Sequence, residues 1–194
     1  DGGVNMNMLM KGIDLDLLQI GNTKACGVYH NGAQGSTVTD VSVWANSETH
    51  SCFYGLNGAG GMHSNIACDG ARFGIYIDGA QPVPMAAGVS LTNQSVSAIV
   101  FNQQETLSLV GVSISLSASA QGPAVNNIGP RAMSLIDVSI ICEGDRQVAI
   151  NTSQSTYARD LYVRGCASVI DQTGAPLLPG PTGSGTWLHV AEYE

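Results

Sequence analysis

The chain has 194 residues, enough for one domain with a sizeable core. Of its residues 44% are apolar, only 11% are charged and 24 are glycine, which argues against a helical bundle and favours many short strands. The net charge of −8, with seven scattered Lys and Arg residues, leaves no basic cluster for nucleic acid, and no apolar run is long enough to cross a membrane.

A short pattern recurs along the chain: Gly, Asp or Asn, then an aliphatic residue, any residue and another apolar residue. Its first aliphatic residue stands at Ile13, Val41, Ile66, Val89, Val112, Val138 and Leu161. Successive occurrences are 28, 25, 23, 23, 26 and 23 residues apart. Nearly even steps of this length indicate stacked structural repeats.

A second short apolar strand follows each of these first strands. Each second strand ends in or is followed by Asn or Asp, at Asn31, Asn57, Asp78, Asn102, Asn127, Asn151 and Asp171. Because Asn and Asp tolerate left-handed backbone, these residues are predicted to turn a corner of each repeat.

The repeat is too short for the four strands of a propeller blade, and it lacks the Leu ladder and helices of leucine-rich repeats. Within each first strand, the two apolar residues point to the same side. The sequence therefore predicts an all-β fold, a right-handed parallel β-helix of about seven coils, over residues 1–175. Residues 176–186 are expected to be an irregular connector and 187–194 a terminal strand. The lack of a capping helix before the first coil suggests a part of a larger protein or assembly.

The residue between the two apolar positions of a first strand faces outward. It is small in five consecutive coils, at Ser42, Ala67, Ser90, Ser113 and Ser139. Exposed strands usually carry longer polar or charged side chains. This ribbon of small side chains is either a plain exposed surface or a flat surface that packs on a second β-helix domain or on another copy in a homo-oligomer.

The chain contains five cysteines, Cys26, Cys52, Cys68, Cys142 and Cys166. Their spacing is not that of a metal site, and they are interpreted as buried small apolar residues. The alternative is one disulfide, such as Cys26–Cys52, which would indicate an oxidising compartment. No cofactor is expected, and Asp14 with Asp16 supplies too few carboxylates for a metal site.

The coils resemble those of the pectate-lyase-like β-helix superfamily over about residues 8–171. The most similar stretches are residues 27–44, 53–58 and 73–78, which are similar to coils of exo-β-1,3-glucanase-like (laminarinase-type) proteins with two β-helices in one chain. The resemblance implies an extracellular, secreted module that binds or depolymerises a polysaccharide, as a glycoside hydrolase or a polysaccharide lyase. The alternative is a non-catalytic structural or adhesion module of a larger protein or fibre. The negative charge of the chain favours a neutral glycan.

The densest group of titratable side chains lies on the first three coils. A lyase needs a base that removes a proton and a positive group that stabilises the developing negative charge. The candidate catalytic residues are His30, Glu48, His50, His63 and Arg72, and the candidates to stack on sugar rings are Tyr29, Trp44 and Tyr54. The competing interpretation is that these residues are ordinary decoration of long loops.

A glycosidase needs two carboxyl groups on either side of the scissile bond. Glu143 and Asp145 share one loop and are the alternative catalytic pair, although surface acids beside a residue such as Arg146 are most often only solvated charges. Asp137 and Asp160 share a repeat position one coil apart, and their place before a strand favours a role in turns.

Overall fold

A computed structural model describes residues 6–30, 32, 34–79, 83–144 and 146–172, together with the backbone of two strands at 178–179 and 186–193. These residues form strands, turns and bends, and none of them is in a helix. A helix that could span a membrane is accordingly not found in this part of the chain.

Long and short strands alternate along the chain and build two parallel sheets. Sheet A contains β1 (Leu9–Leu17), β3 (Thr37–Ala45), β5 (His63–Asp69), β7 (Met85–Thr92), β9 (Leu107–Leu116), β11 (Met133–Cys142) and β13 (Thr156–Arg164). Sheet B contains β2 (Cys26–Tyr29), β4 (Ser51–Tyr54), β6 (Phe73–Gly79), β8 (Ser97–Gln103), β10 (Val125–Asn127), β12 (Val148–Thr152) and β14 (Ser168–Gln172). Each pair of strands is one turn, so the chain is a β-solenoid of about seven turns, and the predicted all-β fold is confirmed.

The core consists of columns of aliphatic side chains that run through successive turns. In sheet A the column Val41, Ile66, Val89, Val112, Val138 and Leu161 is in register from strand to strand. In sheet B the facing column is Val28, Phe53, Ile75, Ile99, Val125, Ile150 and Ile170. All of these side chains are buried, and each stabilises the fold by about 1.5–3 kcal/mol through removal of apolar surface from water.

Each long strand bends at the first residue of the sequence pattern. This residue has a left-handed backbone in all seven strands, with φ between 49° and 66°, at Gly12, Asp40, Asn65, Gly88, Gly111, Asp137 and Asp160. In β9, Leu109 points inward, Val110 and Gly111 both stay outside, and the burial alternation resumes at Val112. The extra outward residue turns the strand, which explains why only Gly, Asp and Asn occupy this position and confirms the turn role of Asp137 and Asp160.

The left-handed backbone expected of the Asn and Asp residues after each second strand is wrong for those that the structure describes. Asp78, Asn102, Asn127, Asn151 and Asp171 are strand residues of sheet B without a positive φ, and Asn57 also has none. Asn102 Nδ2 donates to Asp78 Oδ1 of the neighbouring coil at 3.1 Å, whereas Asn127 Oδ1 accepts from the backbone N–H of Gly129 at 3.2 Å and so takes part in a turn of its own chain. Asn31 lies outside the described residues.

The structure bears out the disulfide interpretation of the cysteines, but not the pair Cys26–Cys52. Disulfides join Cys52 to Cys68 and Cys142 to Cys166, and Cys26 is free. The Cys26–Cys52 pair fails because Cys26 lies opposite Ser51 in the register of sheet B, so that Cys52 is one residue out of step. Cys52 is fully buried and meets Cys68 of the next turn.

The two ends of the solenoid differ. At the C-terminal end, β16 (Thr186–Tyr193) pairs antiparallel with β13, and β15 (Leu178–Pro179) pairs antiparallel with β14. At the N-terminal end, β1 and β2 are the last strands of their sheets among the described residues. The expected connector at 176–186 lies mostly outside the described residues and stays a prediction.

Candidate functional site

Three tyrosines form a row on the outer face of sheet B. Tyr29, Tyr54 and Tyr76 are in register on β2, β4 and β6. The ring centroids are 5.2 Å apart between Tyr29 and Tyr54 and 5.6 Å apart between Tyr54 and Tyr76. Tyr29 is 67% exposed, and the other two are half-buried. We call these three residues the tyrosine row; it exists because each tyrosine follows a core residue and therefore points the opposite way.

His50 and Phe73 widen the tyrosine row on one side. The ring of His50 lies 4.9 Å from that of Tyr76, 5.8 Å from that of Tyr54 and 5.4 Å from that of Phe73. The guanidinium carbon of the exposed Arg72 lies 5.4 Å from the centre of the Phe73 ring. The result is a continuous aromatic surface with one cation at its edge.

Burial favours the neutral forms of His50 and Tyr54 in this surface. Burial, and secondly the charge of Arg72, lower the pKa of His50 below its ordinary value of 6.5, so the ring is uncharged at pH 7. Burial, and secondly the carboxylate of Asp78, raise the pKa of Tyr54. Tyr54 therefore keeps its hydroxyl proton, and neutral His50 can accept a hydrogen bond.

The outward column changes its chemistry beyond Tyr76. The residues in register on the following strands are Val100, Asn126, Asn151 and Asp171. The amide of Asn151 donates to the side-chain oxygen of Asn126 at 2.8 Å. We call Asn126 and Asn151 the amide row. The aromatic faces of the first three turns thus end at the buried Val100, and hydrogen-bonding groups follow it in the later turns.

His30 and His63 belong to a polar network around the buried Asn57. The backbone N–H of Asn57 donates to Nδ1 of His63 at 3.1 Å, and the side-chain amide of Asn57 lies 2.9 Å from Nδ1 of His30. His63 is fully buried at an inward position between Val38 and Ala86. Burial, and secondly His30, lower the pKa of His63 to about 3. Nε2 of His63 has no hydrogen-bond partner among the described residues.

Two other predicted residues lie apart from the tyrosine row. Glu48 is exposed, and its carboxylate accepts a 3.3 Å hydrogen bond from the backbone N–H of Gly21 in the preceding turn. Trp44 is 42% exposed on the outer face of sheet A, in register with Asp16 and Asp69. Of the predicted site residues, the structure therefore brings together Tyr29, Tyr54, His50 and Arg72.

The alternative catalytic pair is only partly described. Glu143 is exposed directly after β11, and Asp145 lies outside the described residues, so their separation stays a prediction. Arg146 and Gln147 line an open cavity of about 380 Å³ together with Gln121 and Pro123. No cluster of His, Cys, Asp or Glu that could hold a metal ion occurs in the described part of the chain.

The ribbon of small side chains is in register and faces outward. Ser42, Ala67, Ser90, Ser113 and Ser139 occupy equivalent positions of β3 to β11 in sheet A. Ser90 and Ser113 are exposed, and the other three are half-buried. Ser42, Ala67 and Ser90 line an open depression of about 380 Å³, and packing of a partner on the ribbon stays a prediction.

Sequence reasoning missed Tyr76 and Phe73 as members of the site. The signal for Tyr76 was present, since it follows the core residue Ile75 as Tyr29 follows Val28 and Tyr54 follows Phe53. Comparison of the chain with protein-family models, with curated proteins and with solved structures gives no match.

Proposed function

We propose that this protein is an extracellular carbohydrate-binding module that holds a linear polysaccharide along the tyrosine row. The observation that carries the proposal is the in-register stack of three outward tyrosines at intervals of 5.2 and 5.6 Å. Tyrosine combines a large apolar face with a hydroxyl group, which suits a sugar ring with apolar C–H faces and polar edges. A chain of sugars that runs along the solenoid axis would meet one tyrosine per turn.

Charge and composition support a neutral glycan as the ligand. The net charge of the chain is −8, and the carboxylate of Asp78 lies close enough to Tyr54 to raise its pKa. Both features disfavour a polyanion. Beyond the row, the amides of Asn126 and Asn151 offer donors and acceptors for sugar hydroxyls.

Two further observations agree with this proposal. The coils resemble those of pectate-lyase-like and laminarinase-type β-helices, whose members act on or bind polysaccharides. The two disulfides are compatible with an oxidising, extracellular compartment.

The proposal is tested by co-sedimentation or affinity electrophoresis with a panel of neutral and anionic polysaccharides. The wild type should bind at least one neutral member, and a variant with Tyr29→Ala, Tyr54→Ala and Tyr76→Ala should lose that binding while its thermal unfolding stays cooperative. The matched control is Tyr157→Ala, which removes a tyrosine that is 40% exposed on the outer face of sheet A. Undiminished binding by the triple variant, or no binding to any neutral member, contradicts the proposal.

Cleavage of a glycan is a second candidate function, and elimination by a lyase would require a uronate-containing chain instead of a neutral one. Cleavage is favoured by His50, an uncharged base at pH 7, which stands beside the cation Arg72 within the aromatic surface. Assays for new reducing ends and for unsaturated products separate hydrolase, lyase and pure binder. A lyase should lose turnover in His50→Ala without a loss of thermal stability. Full turnover in that variant excludes His50, and loss of turnover in Glu143→Gln would favour the carboxylate pair instead.

A further inference from the structure

Two segments of the chain match the acceptor pattern of N-linked glycosylation, which is Asn, any residue except Pro, then Ser or Thr. They are Asn93-Gln94-Ser95 and Asn151-Thr152-Ser153, and no other asparagine of the sequence fits the pattern. Both segments have Ser as the third residue, so the pattern itself does not distinguish them. Their structural settings differ, and a bulky, hydrophilic glycan requires an exposed attachment point in the folded chain.

Asn93 lies in an exposed turn directly after β7. Its backbone is left-handed, with a φ of 62°, at the corner where the chain leaves sheet A for sheet B. The side-chain amide donates to Oδ1 of Asp69 in the preceding turn at 2.7 Å, and no second acceptor for Nδ2 occurs among the described residues. One of the two N–H groups of this amide is therefore available for attachment of a sugar.

Gln94 anchors the same turn from the inside. Its side chain is fully buried, and its amide donates to the backbone carbonyls of Thr92 at 2.7 Å and of Gly70 at 3.1 Å. The middle residue of the segment thus holds the turn against the core while Asn93 stays outside.

The second segment offers a poorer attachment point. Asn151 is half-buried in β12, in register with Asn126 on one side and Asp171 on the other. Because neighbouring strands lie about 4.8 Å apart, these side chains flank the amide of Asn151 closely. The amide also donates to Oδ1 of Asn126 at 2.8 Å. A glycan on Asn151 would have to leave from within this row of side chains.

We propose that Asn93 is the acceptor of an N-linked glycan when the chain passes through a secretory compartment that contains an oligosaccharyltransferase. The proposal rests on the extracellular location in the proposed function and is independent of glycan binding by the tyrosine row. The two disulfides are compatible with such a compartment.

The modification is a transfer of an oligosaccharide from a lipid-linked diphosphate to Nδ2 of Asn93. A bond forms between Nδ2 and the anomeric carbon of the first sugar, and the bond from that carbon to the diphosphate oxygen breaks. The lipid diphosphate leaves with the electron pair, and one amide proton passes to a base of the transferase. The remaining N–H can still donate to Asp69, so the contact between the two turns is retained.

The test secretes the full chain from yeast and compares its intact mass before and after treatment with peptide N-glycosidase. The wild type should lose the mass of one glycan, and peptide mapping in heavy-oxygen water should show Asn93 converted to a labelled Asp. Asn93→Gln and Ser95→Ala should both lack the glycan. Ser95→Ala retains the amide of Asn93, so a loss in both variants reports the acceptor pattern and not a broken contact with Asp69. The matched control Asn151→Gln should keep the glycan.

Two results would overturn the modification of Asn93. One is a secreted wild type without a glycan, and the other is a glycan that persists in Asn93→Gln and is lost in Asn151→Gln. Equal occupancy of both residues overturns the argument that exposure selects Asn93. Binding to the polysaccharide panel is measured on the deglycosylated chain, so that failure of the proposed function and failure of the modification are separate results.

Discussion

The first three turns and the last four turns share one core and differ on the outside of sheet B. The central inward column of sheet B carries Val, Ile or Phe throughout. The outward positions next to them carry tyrosine in the first three turns and then Val100, Asn126, Asn151 and Asp171. An inward residue must fit between its neighbours in adjacent turns, whereas most outward residues of this column keep part of their surface in solvent; Val100, which is 4% exposed, is the exception. The fold therefore depends on the inward positions, whereas the proposed glycan contact involves only a short stretch of outward ones.

Removal of the disulfides should show that both regions depend on the same kind of crosslink. Each region contains one bridge, between cysteines 16 residues apart in the first and 24 residues apart in the second. Loop-closure entropy predicts a loss of about 3 kcal/mol for either Cys52→Ala with Cys68→Ala or Cys142→Ala with Cys166→Ala, with a difference below about 0.5 kcal/mol. Chemical denaturation measures both losses. If one disulfide can be removed without a loss of unfolding free energy, only the region that contains the other disulfide depends on its crosslink.

His63 should make the first region sensitive to acid. Its pKa in the folded state, about 3, lies below the ordinary 6.5, so the unfolded chain binds an additional proton between these values. The unfolding free energy should therefore fall as the pH drops from about 6.5 towards about 3, and His63→Gln should reduce this dependence. Denaturation curves across this pH range provide the measurement, with His50→Gln as the comparison variant. Identical pH profiles of the wild type and His63→Gln would contradict the account of the buried ring.

Single substitutions along the outward column should show that the first three turns contribute more to glycan affinity than the last four. Tyr54→Ala is expected to weaken binding about tenfold, which corresponds to about 1.4 kcal/mol, because it removes the central ring of the row. Asn151→Ala should weaken it about threefold or less, since a solvated hydrogen bond contributes little. Calorimetry with the best glycan of the panel gives both values. A larger effect for Asn151 would place the main contacts in the last four turns.

A substitution in the ribbon of small side chains should have the smallest effect on the unfolding free energy. Ser113→Arg replaces an exposed side chain of sheet A and should change the unfolding free energy by less than about 0.5 kcal/mol. If a second solenoid packs on the ribbon, the same change should remove that assembly, whereas Ser113→Thr should retain it. Light scattering reports the mass of both variants, and an unchanged mass in Ser113→Arg identifies the ribbon as a plain exposed surface.

The solenoid was predictable from the sequence because its inward positions tolerate few residue types. Val89 and Val112 are equivalent in the repeat and are also aligned in the sheet. His63 was predictable in the same way, since it stands three residues before Ile66 as the buried Val38 stands before Val41.

The site was less predictable because its members come from different strands. Trp44 lies near Tyr54 in the sequence, yet the two side chains are on outer faces of different sheets. Tyr76 joins the row only through the register of β4 with β6, and the disulfide partners likewise depend on register between strands. Loops of variable length separate these strands, so spacing along the chain does not reveal which outward residues meet.

A nuclear magnetic resonance titration with a soluble oligosaccharide of the best-binding neutral glycan addresses the tyrosine row most directly. With isotope-labelled tyrosine, the ring signals of Tyr29, Tyr54 and Tyr76 should shift together and saturate with one affinity, while those of Tyr157 and Tyr162 on sheet A stay in place. Shifts confined to the sheet A tyrosines, or no shift at Tyr54 under saturating ligand, would contradict a glycan site on the outer face of sheet B.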